Sequence, residues 1–206
     1  MITNIAVYHF TPLEDRDALA RLFRDHAARD GLKGTVLLTP EGINLFLAGT
    51  PEAIAALLDT LRAQPRFVDL QVKYSFSHAM PFERFKVKFK SEIITFRHPE
   101  LKPGEGRAPS VLPADLQRWL QQGRDDAGKP VVMLDTRNEE EFAYGTFQNA
   151  LTLPIRKFTE LPTALAPHRE ALKDATVVSF CTGGIRCEKA AIWMHNTGMD
   201  NVLQLE

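Results

Sequence analysis

The stretch Thr176-Val177-Val178-Ser179-Phe180-Cys181-Thr182-Gly183-Gly184-Ile185-Arg186 decides the fold of the second half of this chain. Its β-branched beginning predicts a buried strand, and the residues from Cys187 to Thr197 predict a helix. Between them, glycine amides can turn inward and the helix start adds partial positive charge, which together favour an anion. We therefore predict a thiolate at Cys181, with Arg186 stabilising negative charge and an active-site loop formed by Thr182, Gly183, Gly184 and Ile185.

The spacing of the loop narrows its chemistry. Cys181 and Arg186 enclose four residues, whereas the loops of cysteine phosphatases enclose five to hold a phosphate. The tighter loop fits a sulfur-sized group better, and the pattern C-x-x-G-x-R resembles the active loop of rhodanese domains, in which the cysteine carries a persulfide. The alternative is an ordinary buried cysteine beside a strand-to-helix turn, but that interpretation leaves the glycines and Arg186 unexplained.

Composition limits the classes of function. The chain of 206 residues is 44% hydrophobic and 25% charged with a net charge of −1, so any nucleic-acid surface must be local. The chain has two cysteines, Cys181 and Cys187. Two cysteines are too few for a disulfide framework, and alone they cannot complete a structural zinc site. The start of the chain lacks the features of a signal peptide, and no stretch is long and apolar enough to span a bilayer. We expect a cytoplasmic protein without a membrane partner.

Residues 1–80 predict a ferredoxin-like domain of mixed α+β type, because their elements follow the order β-α-β-β-α-β. The second helix is predicted to begin at Pro51 with Thr50 as its cap, and Gly31 to end the first. The predicted strands are Asn4–Phe10, Thr35–Leu38, Leu45–Ala48 and Phe67–Tyr74, and the first predicted helix is Glu14–Asp30.

Residues 81–109 are predicted to form a basic strand followed by a linker. Charged and apolar residues alternate along the strand, with Phe85, Val87 and Phe89 on one face and the basic residues Arg84, Lys86, Lys88 and Lys90 on the other. One interpretation is an RNA-binding strip whose charge Arg97, Lys102 and Arg107 extend. The other is a half-buried edge strand whose lysines discourage aggregation.

Residues 110–206 predict an α/β domain with a parallel sheet, since helical and strand patterns alternate. Asp135 and Arg137 follow the predicted strand Val131–Leu134, and we expect them to support the loop of Cys181 at the same sheet edge. The predicted last strand, Val202–Leu205, has nothing after it, so we expect a domain truncated at its C-terminus. The remaining predicted elements are the helices Ala114–Gln122 and Glu139–Tyr144, helical pieces up to Leu172 and the strand Ala150–Leu153.

Nearly the whole chain resembles the rhodanese-domain tRNA uridine hydroxylases, the TrhO family. The stretches that carry this resemblance are Gly34–Leu38, Glu41–Asn44, Pro81-Phe82, Lys86–Lys88, Glu92-Ile93, Asp135–Asn138 and Cys181–Ala190. The resemblance implies an acylphosphatase-like N-terminal domain before the rhodanese domain. It also implies oxygen-dependent conversion of the wobble uridine of tRNA, rather than any base of DNA, to 5-hydroxyuridine, with the loop cysteine essential. Members of this family continue past the position of Glu206.

Hydroxylation at C5 of a uracil requires an electron-rich carbon, which a thiolate provides by adding to C6. We therefore expect covalent catalysis by Cys181, with Cys187 either a resolving thiol or a packed residue of the helix. No nucleotide-binding motif is present, and His98-Pro99-Glu100 lacks the partners of a zinc deaminase site. We expect no metal and no identifiable cofactor, with molecular oxygen as co-substrate implied by the resemblance.

Two other functions fit parts of the sequence. A sulfurtransferase would pass sulfur from thiosulfate or a sulfur-donor protein through a persulfide on Cys181. A tRNA-binding module would retain the loop without using it.

Overall fold

The computed structural model describes residues 1–206, which form two compact units, Met1–Ile93 and Ile94–Glu206. Each unit has a buried apolar core of its own. None of the helices combines the length and the apolar character that a bilayer crossing requires.

The first unit is a mostly antiparallel sheet with two helices on one face. Its elements are β1 (Ile2–Phe10), α1 (Arg16–Asp30), β2 (Lys33–Thr39), β3 (Gly42–Gly49), α2 (Pro51–Arg62), β4 (Lys73–Ser77) and β5 (Phe85–Phe89). The strand order is β4-β1-β3-β2-β5, with β5 parallel to β2 and the other pairs antiparallel. The predicted ferredoxin-like fold is confirmed.

The two helices of this unit begin and end at the predicted signals. The Thr50 hydroxyl accepts a hydrogen bond from the amide of Ala53 at 3.2 Å, and Pro51 occupies the first turn of α2. Gly31 adopts a left-handed conformation at the end of α1 and donates its N–H to the carbonyl of Ala27. The buried apolar residues of both helices pack in one cluster with those of the sheet.

The predicted strand Phe67–Tyr74 is wrong over most of its length. Pro65–Phe67 forms a 3-10 turn, in which the Phe67 amide donates to the Gln64 carbonyl at 2.9 Å. The Phe67 ring is fully buried in the core instead of alternating along a strand. Local hydrogen bonds thus replace a strand ladder here, and β4 starts only at Lys73.

The basic strand β5 belongs to the first unit. Its backbone pairs with β2, while Phe85 and Val87 pack against the core of this unit. Phe89, which the alternation places on the apolar face, is instead 45% exposed. The Glu41 carboxylate also accepts the amide of Ile93 at 2.6 Å. These contacts extend the compact unit to Ile93, beyond the boundary expected at residue 80.

The second unit is a five-stranded sheet in which every pair of neighbours is parallel, as predicted. The strand order is β6-β10-β9-β7-β8. The elements are β6 (Ser110–Val111), α3 (Pro113–Gln122), β7 (Val131–Asp135), α4 (Glu139–Phe142), β8 (Leu151–Thr152), α5 (Leu161–Leu165), β9 (Thr176–Phe180), α6 (Ile185–Asn196) and β10 (Val202–Leu205).

Strand β9 is buried on both faces. Val177 packs with residues of α6 in one cluster and Val178 packs with Leu116 of α3 in another. Asp135 at the end of β7 is the register partner of Phe180 at the end of β9. The residues that follow both strands therefore share one edge of the sheet.

Phe67→Ala tests the burial of the Phe67 side chain. The substitution removes a fully buried ring, so we expect the first unit to lose about 3–5 kcal/mol of unfolding free energy. Hydrogen exchange with peptide mass spectrometry should show the loss in β1 and β3 and unchanged protection in the second unit. Val68→Ala is the control, since the Val68 side chain is 59% exposed. Its loss should cost less than about 0.5 kcal/mol. Equal effects of the two substitutions would contradict the burial of Phe67.

Candidate active site

Cys181 lies at the carboxyl end of β9, where the chain turns into α6. The amide of Gly184 donates to the Cys181 sulfur at 3.1 Å. Gly184 has φ +89°, a conformation that side-chain-bearing residues rarely adopt, and it directly precedes the first turn of α6. The helix begins at Ile185, not at the predicted Cys187, because this turn is so tight. The sulfur therefore sits at the start of a helix, where partial positive charge favours a thiolate.

The two cysteines are free thiols in unequal surroundings. Cys181 is half-buried, whereas Cys187 is buried in the first turn of α6. A hydrogen bond from the Cys187 thiol, aided by backbone amides and the charge of Arg186, holds the pKa of Cys181 well below its ordinary value. Burial, together with the neighbouring Cys181, raises the pKa of Cys187 well above its ordinary value. These opposite shifts favour the anion at Cys181 and the protonated thiol at Cys187, whose sulfur also lies 3.6 Å from the Thr136 hydroxyl.

Arg186 is held by a carboxylate that the sequence patterns do not single out. Its two terminal nitrogens donate to the two oxygens of Glu141, each at 2.6 Å. The Thr182 hydroxyl donates to the same carboxylate at 2.7 Å. These hydrogen bonds, with that of Arg186 the largest contribution, lower the pKa of Glu141 to about 2. Glu141 therefore fixes both the cation and the start of the loop.

The sequence contains a helix-capping pattern that includes Glu141, but two further glutamates precede Glu141 directly. The amide of Asn138 donates to the Glu141 carboxylate at 3.2 Å, which is half of the capping pattern Asn-x-x-Glu at a helix start. Glu139 and Glu140 adjoin it, and only the register of the short helix α4 turns Glu141 towards Arg186. A helix of this length, Glu139–Phe142, has no apolar periodicity from which that register can be predicted.

Asp135 and Arg137 organise the neighbouring segment instead of touching the cysteine. The fully buried Asp135 carboxylate accepts from the Arg137 side chain at 2.7 Å and from the Thr146 hydroxyl at 2.7 Å. Burial opposes ionisation, yet these hydrogen bonds keep the pKa of Asp135 below its usual range. Arg137 also donates to the carbonyl of Gly145 at 2.7 Å. This network places the segment 144–147 beside the end of β9.

That segment carries exposed aromatic side chains near the thiol loop. The Phe147 ring contacts the ring of Phe180, the residue before Cys181, with centroids 4.8 Å apart. Tyr144 is 96% exposed and lies in the turn after α4, whose Glu141 binds Arg186. An aromatic ring so exposed, three residues after Glu141, is available to stack on a planar ligand. Neither aromatic residue is marked in the sequence, because no periodicity runs through this loop.

The residues after the loop cysteines have structural partners. Arg107 donates to Glu188 at 3.0 Å and to Glu206 at 2.9 Å, so it does not extend the basic strip as an uncompensated charge. The buried Lys189 ammonium donates to the carbonyl of Ile94 at 3.1 Å. The run Glu188-Lys189 thus fastens α6 to the beginning of the second unit.

The other candidate residues are distant from the Cys181 loop in the sequence and take no part in the hydrogen bonds of the loop described above. Arg84, Lys88 and Lys90 are exposed and Lys86 is half-buried, all on or beside the edge strand β5 of the first unit. In the second unit, the His98 ring lies 2.8 Å from the Glu100 carboxylate and packs against Phe96.

The geometry of the loop defines what it can do. Backbone amides, a neighbouring thiol and an arginine favour the thiolate of Cys181, and the thiolate is the nucleophilic form of a cysteine. The same groups can stabilise negative charge that develops on a molecule bound at the sulfur. The loop can therefore form a covalent bond to an electrophilic carbon or carry a sulfur atom.

Comparison with known proteins identifies both units. Residues 2–93 match the UPF0176 acylphosphatase-like domain, and residues 113–206 match the rhodanese-like domain. A tRNA uridine(34) hydroxylase of Xanthomonas campestris is 63% identical over 206 residues, which are 100% of this chain and 81% of that protein. Proteins of the same name from Xanthomonas euvesicatoria and Xylella fastidiosa are 61% and 58% identical, with 100% of this chain and 83% and 80% of theirs covered.

Cys187→Ala tests the hydrogen bond between the two thiols. Without the donor, the pKa of Cys181 should rise. The midpoint of its alkylation rate against pH should then move upward towards the ordinary value of about 8.5. Iodoacetamide labelling with peptide mass spectrometry measures this rate separately for each cysteine. Cys187→Ser is the matched control, because its hydroxyl still donates and should keep the midpoint low. An unchanged midpoint in the alanine variant would contradict this role of Cys187.

Glu141→Gln tests the support of Arg186. The loss of a charged acceptor should displace Arg186 and Thr182 and reduce the alkylation rate of Cys181 at neutral pH by about threefold or more. Glu140→Gln makes the same change of charge on an exposed neighbour and should leave the rate unchanged. The stabilisation that the Glu141 carboxylate provides is complete above its unfolded pKa of about 4.3 and is lost as the pH falls through about 2. Between about pH 4.3 and about pH 2, the unfolding free energy of the Glu140→Gln variant should change with pH as that of the wild type does. The Glu141→Gln variant should lack this pH dependence.

Proposed function

This chain belongs to the tRNA uridine(34) hydroxylase family, and we propose from that premise that it hydroxylates C5 of uridine 34 in tRNA with Cys181 as the nucleophile. The observation that carries the chemical part is the stabilised thiolate at the start of α6. The identity of the substrate rests on relatives of this name that match the chain over its full length. Oxygen dependence and the product 5-hydroxyuridine are part of the proposal.

The first step forms a bond between the Cys181 sulfur and C6 of the uracil. The electron pair of the thiolate forms this bond, and the pair of the C5–C6 double bond moves towards O4, which leaves an enolate with a nucleophilic C5. Protonated Cys187 cannot compete as the nucleophile, since burial and its neighbour keep its pKa high. In this step the negative charge moves from the Cys181 sulfur, which accepts a hydrogen bond from a backbone amide, to the uracil ring. The amides of the loop and Arg186 stabilise the charge there as well.

The remaining steps balance with molecular oxygen and two thiols as reductant. The C5 enolate takes up oxygen and a proton to give a C5 hydroperoxide. Two external thiols reduce it to the C5 alcohol, with one water and one disulfide as products. Loss of the C5 proton then expels the Cys181 thiolate and restores the double bond. Over the cycle, uridine, one oxygen molecule and two thiols become 5-hydroxyuridine, water and one disulfide.

The residues around Cys181 have separate roles in this proposal. The loop residues Thr182, Gly183, Gly184 and Ile185 shape the turn, and Arg186 contributes positive charge beside the sulfur. Glu141, Asp135 and Arg137 are positioning residues, because they act through other groups. Tyr144 is the exposed ring on which a nucleobase at the loop can stack.

The partners follow from the substrate. The basic residues Arg84, Lys86, Lys88 and Lys90 are part of the proposed tRNA contact, and DNA and membranes are not. A cytoplasmic location belongs to the same proposal, since tRNA is modified there. The sulfurtransferase function, with a sulfur-donor protein, is less well supported because the relatives that match throughout are named hydroxylases.

A tRNA stem-loop with 5-fluorouridine at position 34 tests the covalent step. Addition of Cys181 to C6 should give an adduct that fluorine at C5 keeps from collapsing, visible as a mass increase on the peptide containing Cys181. Cys181→Ser should form no adduct and no 5-hydroxyuridine, whereas Cys187→Ser should still form the adduct. Hydroxylation of ordinary tRNA without any adduct would contradict the covalent step, and absence of 5-hydroxyuridine with persulfide on Cys181 would favour the sulfurtransferase.

A further inference from the structure

The sheet of the first unit has one face that its helices do not cover. Ile5 and Val7 of β1 and Leu45 of β3 are buried in the cluster that contains the apolar residues of α1 and α2. Side chains alternate along a strand, so the intervening residues point to the opposite side. We call that side the open face; its strand residues include Asn4, Ala6, Tyr8, Lys33, Thr35, Leu37, Asn44, Phe46, Lys73, Ser75, Lys86 and Lys88.

An exposed aromatic ring lies in the middle of the open face. Phe46 is on the central strand β3 and is 52% exposed, although it is flanked by strands on both sides. Its register partners are Ala6 on β1 and Thr35 on β2, both small. Such neighbours do not reach over a phenyl ring, which explains its exposure. Tyr8 lies one row away on β1 and contacts the ring of Phe10 at 6.1 Å between centroids.

Lysines mark both edges of the row that contains Phe46. Ala6 pairs with Lys73 on β4, and Thr35 pairs with Lys86 on β5, so one row across the sheet runs Lys73, Ala6, Phe46, Thr35, Lys86. Neighbouring strands are about 4.8 Å apart, which places each lysine roughly 10 Å from the ring at the level of the backbone. In the next row, Leu37 pairs with Lys88.

The open face has the charge pattern of a surface for an anionic chain. The strand residues that point to this side include four lysines, Lys33, Lys73, Lys86 and Lys88, and no carboxylate. The chain as a whole has a net charge of −1, so this excess of positive charge is local. A central aromatic ring between basic edges is the combination by which proteins bind single-stranded nucleic acids: bases stack on the ring while cations follow the phosphates.

We propose that the open face binds unpaired loop nucleotides of the tRNA substrate, with one base stacked on Phe46 and the backbone following Lys73, Lys86 and Lys88. This inference rests on the proposed function for the identity of the RNA. Stacking needs a base that is free of its own helix, so the face should distinguish loops from duplex RNA. It gives the first unit a binding function that complements the chemistry of the second.

Binding of a tRNA stem-loop by fluorescence anisotropy tests the proposal, with all variants in a Cys181→Ser background so that no reaction occurs. Phe46→Ala should weaken binding about tenfold or more, and Phe46→Tyr should restore it, because the tyrosine ring still stacks. Phe76→Ala is the matched control: Phe76 is 61% exposed on β4, but its register partner is Thr3, on the helix side of the sheet. This variant should bind like the parent protein.

Salt dependence tests the lysines. Replacement of Lys86 or Lys88 by Gln should each reduce the slope of log affinity against log salt by about one, whereas Phe46→Ala should leave the slope unchanged. Duplex RNA without a loop should bind more weakly than the stem-loop and should be insensitive to Phe46→Ala.

Three results would overturn the proposal: unchanged stem-loop affinity in Phe46→Ala, equal losses in Phe46→Ala and Phe76→Ala, or no binding of the stem-loop by the parent protein. An unchanged affinity in Phe46→Ala would instead favour a protein partner for the open face. Failure of the proposed function is distinguishable, since a protein that binds the loop through Phe46 and yet yields no 5-hydroxyuridine would keep this inference and refute the hydroxylase.

Discussion

A thiolate in a half-buried position must be surrounded by hydrogen-bond donors and positive charge, and much of the second unit satisfies this one requirement. Strand β9 brings Cys181 to the edge of the sheet, and the positive φ of Gly184 turns an amide onto the sulfur. The axis of α6 then starts at the next residue, so its dipole points the same way. Without this turn the arginine and the second thiol would not be adjacent to the sulfur.

Further out, acidic residues hold the groups that surround the sulfur. Glu141 binds Arg186 and Thr182 at once, and Asp135 binds Arg137 and Thr146. Hydrogen bonds from an arginine and a threonine lower the pKa of each carboxyl group, which favours the ionised form of both. The positive charge of Arg186 near Cys181 is therefore held in place but partly neutralised by Glu141. Such a charge can stabilise the thiolate while keeping the affinity of the site for other anions low.

Much of this architecture could be predicted from local patterns in the sequence. The cap at Thr50, the turn glycine at Gly31 and the β-branched run before Cys181 each specify their own conformation. The strand predicted from Phe67 is wrong because a hydrophobic residue after Pro65 fits a strand and a buried turn equally well. Glu141 and Phe46 could not be identified, since their importance depends on a helix register and on small partners from other strands. Whether Arg186 and Cys187 act in catalysis remains a prediction from the loop pattern.

The place of β10 in the second sheet has a consequence for the order of events during synthesis. This strand lies between β9 and β6, and its register joins Gln204 to Ser110, so the five-stranded sheet is completed only after residue 205 has been synthesised. Long-range parallel pairing of this kind forms late, whereas the first unit is complete at Ile93. We expect Cys181 to remain an ordinary, protonated thiol in the nascent chain. The Gly184 amide and the start of α6 reach the sulfur only in the folded loop, so the nucleophilic character of Cys181 is a property of the folded unit and not of the loop sequence alone.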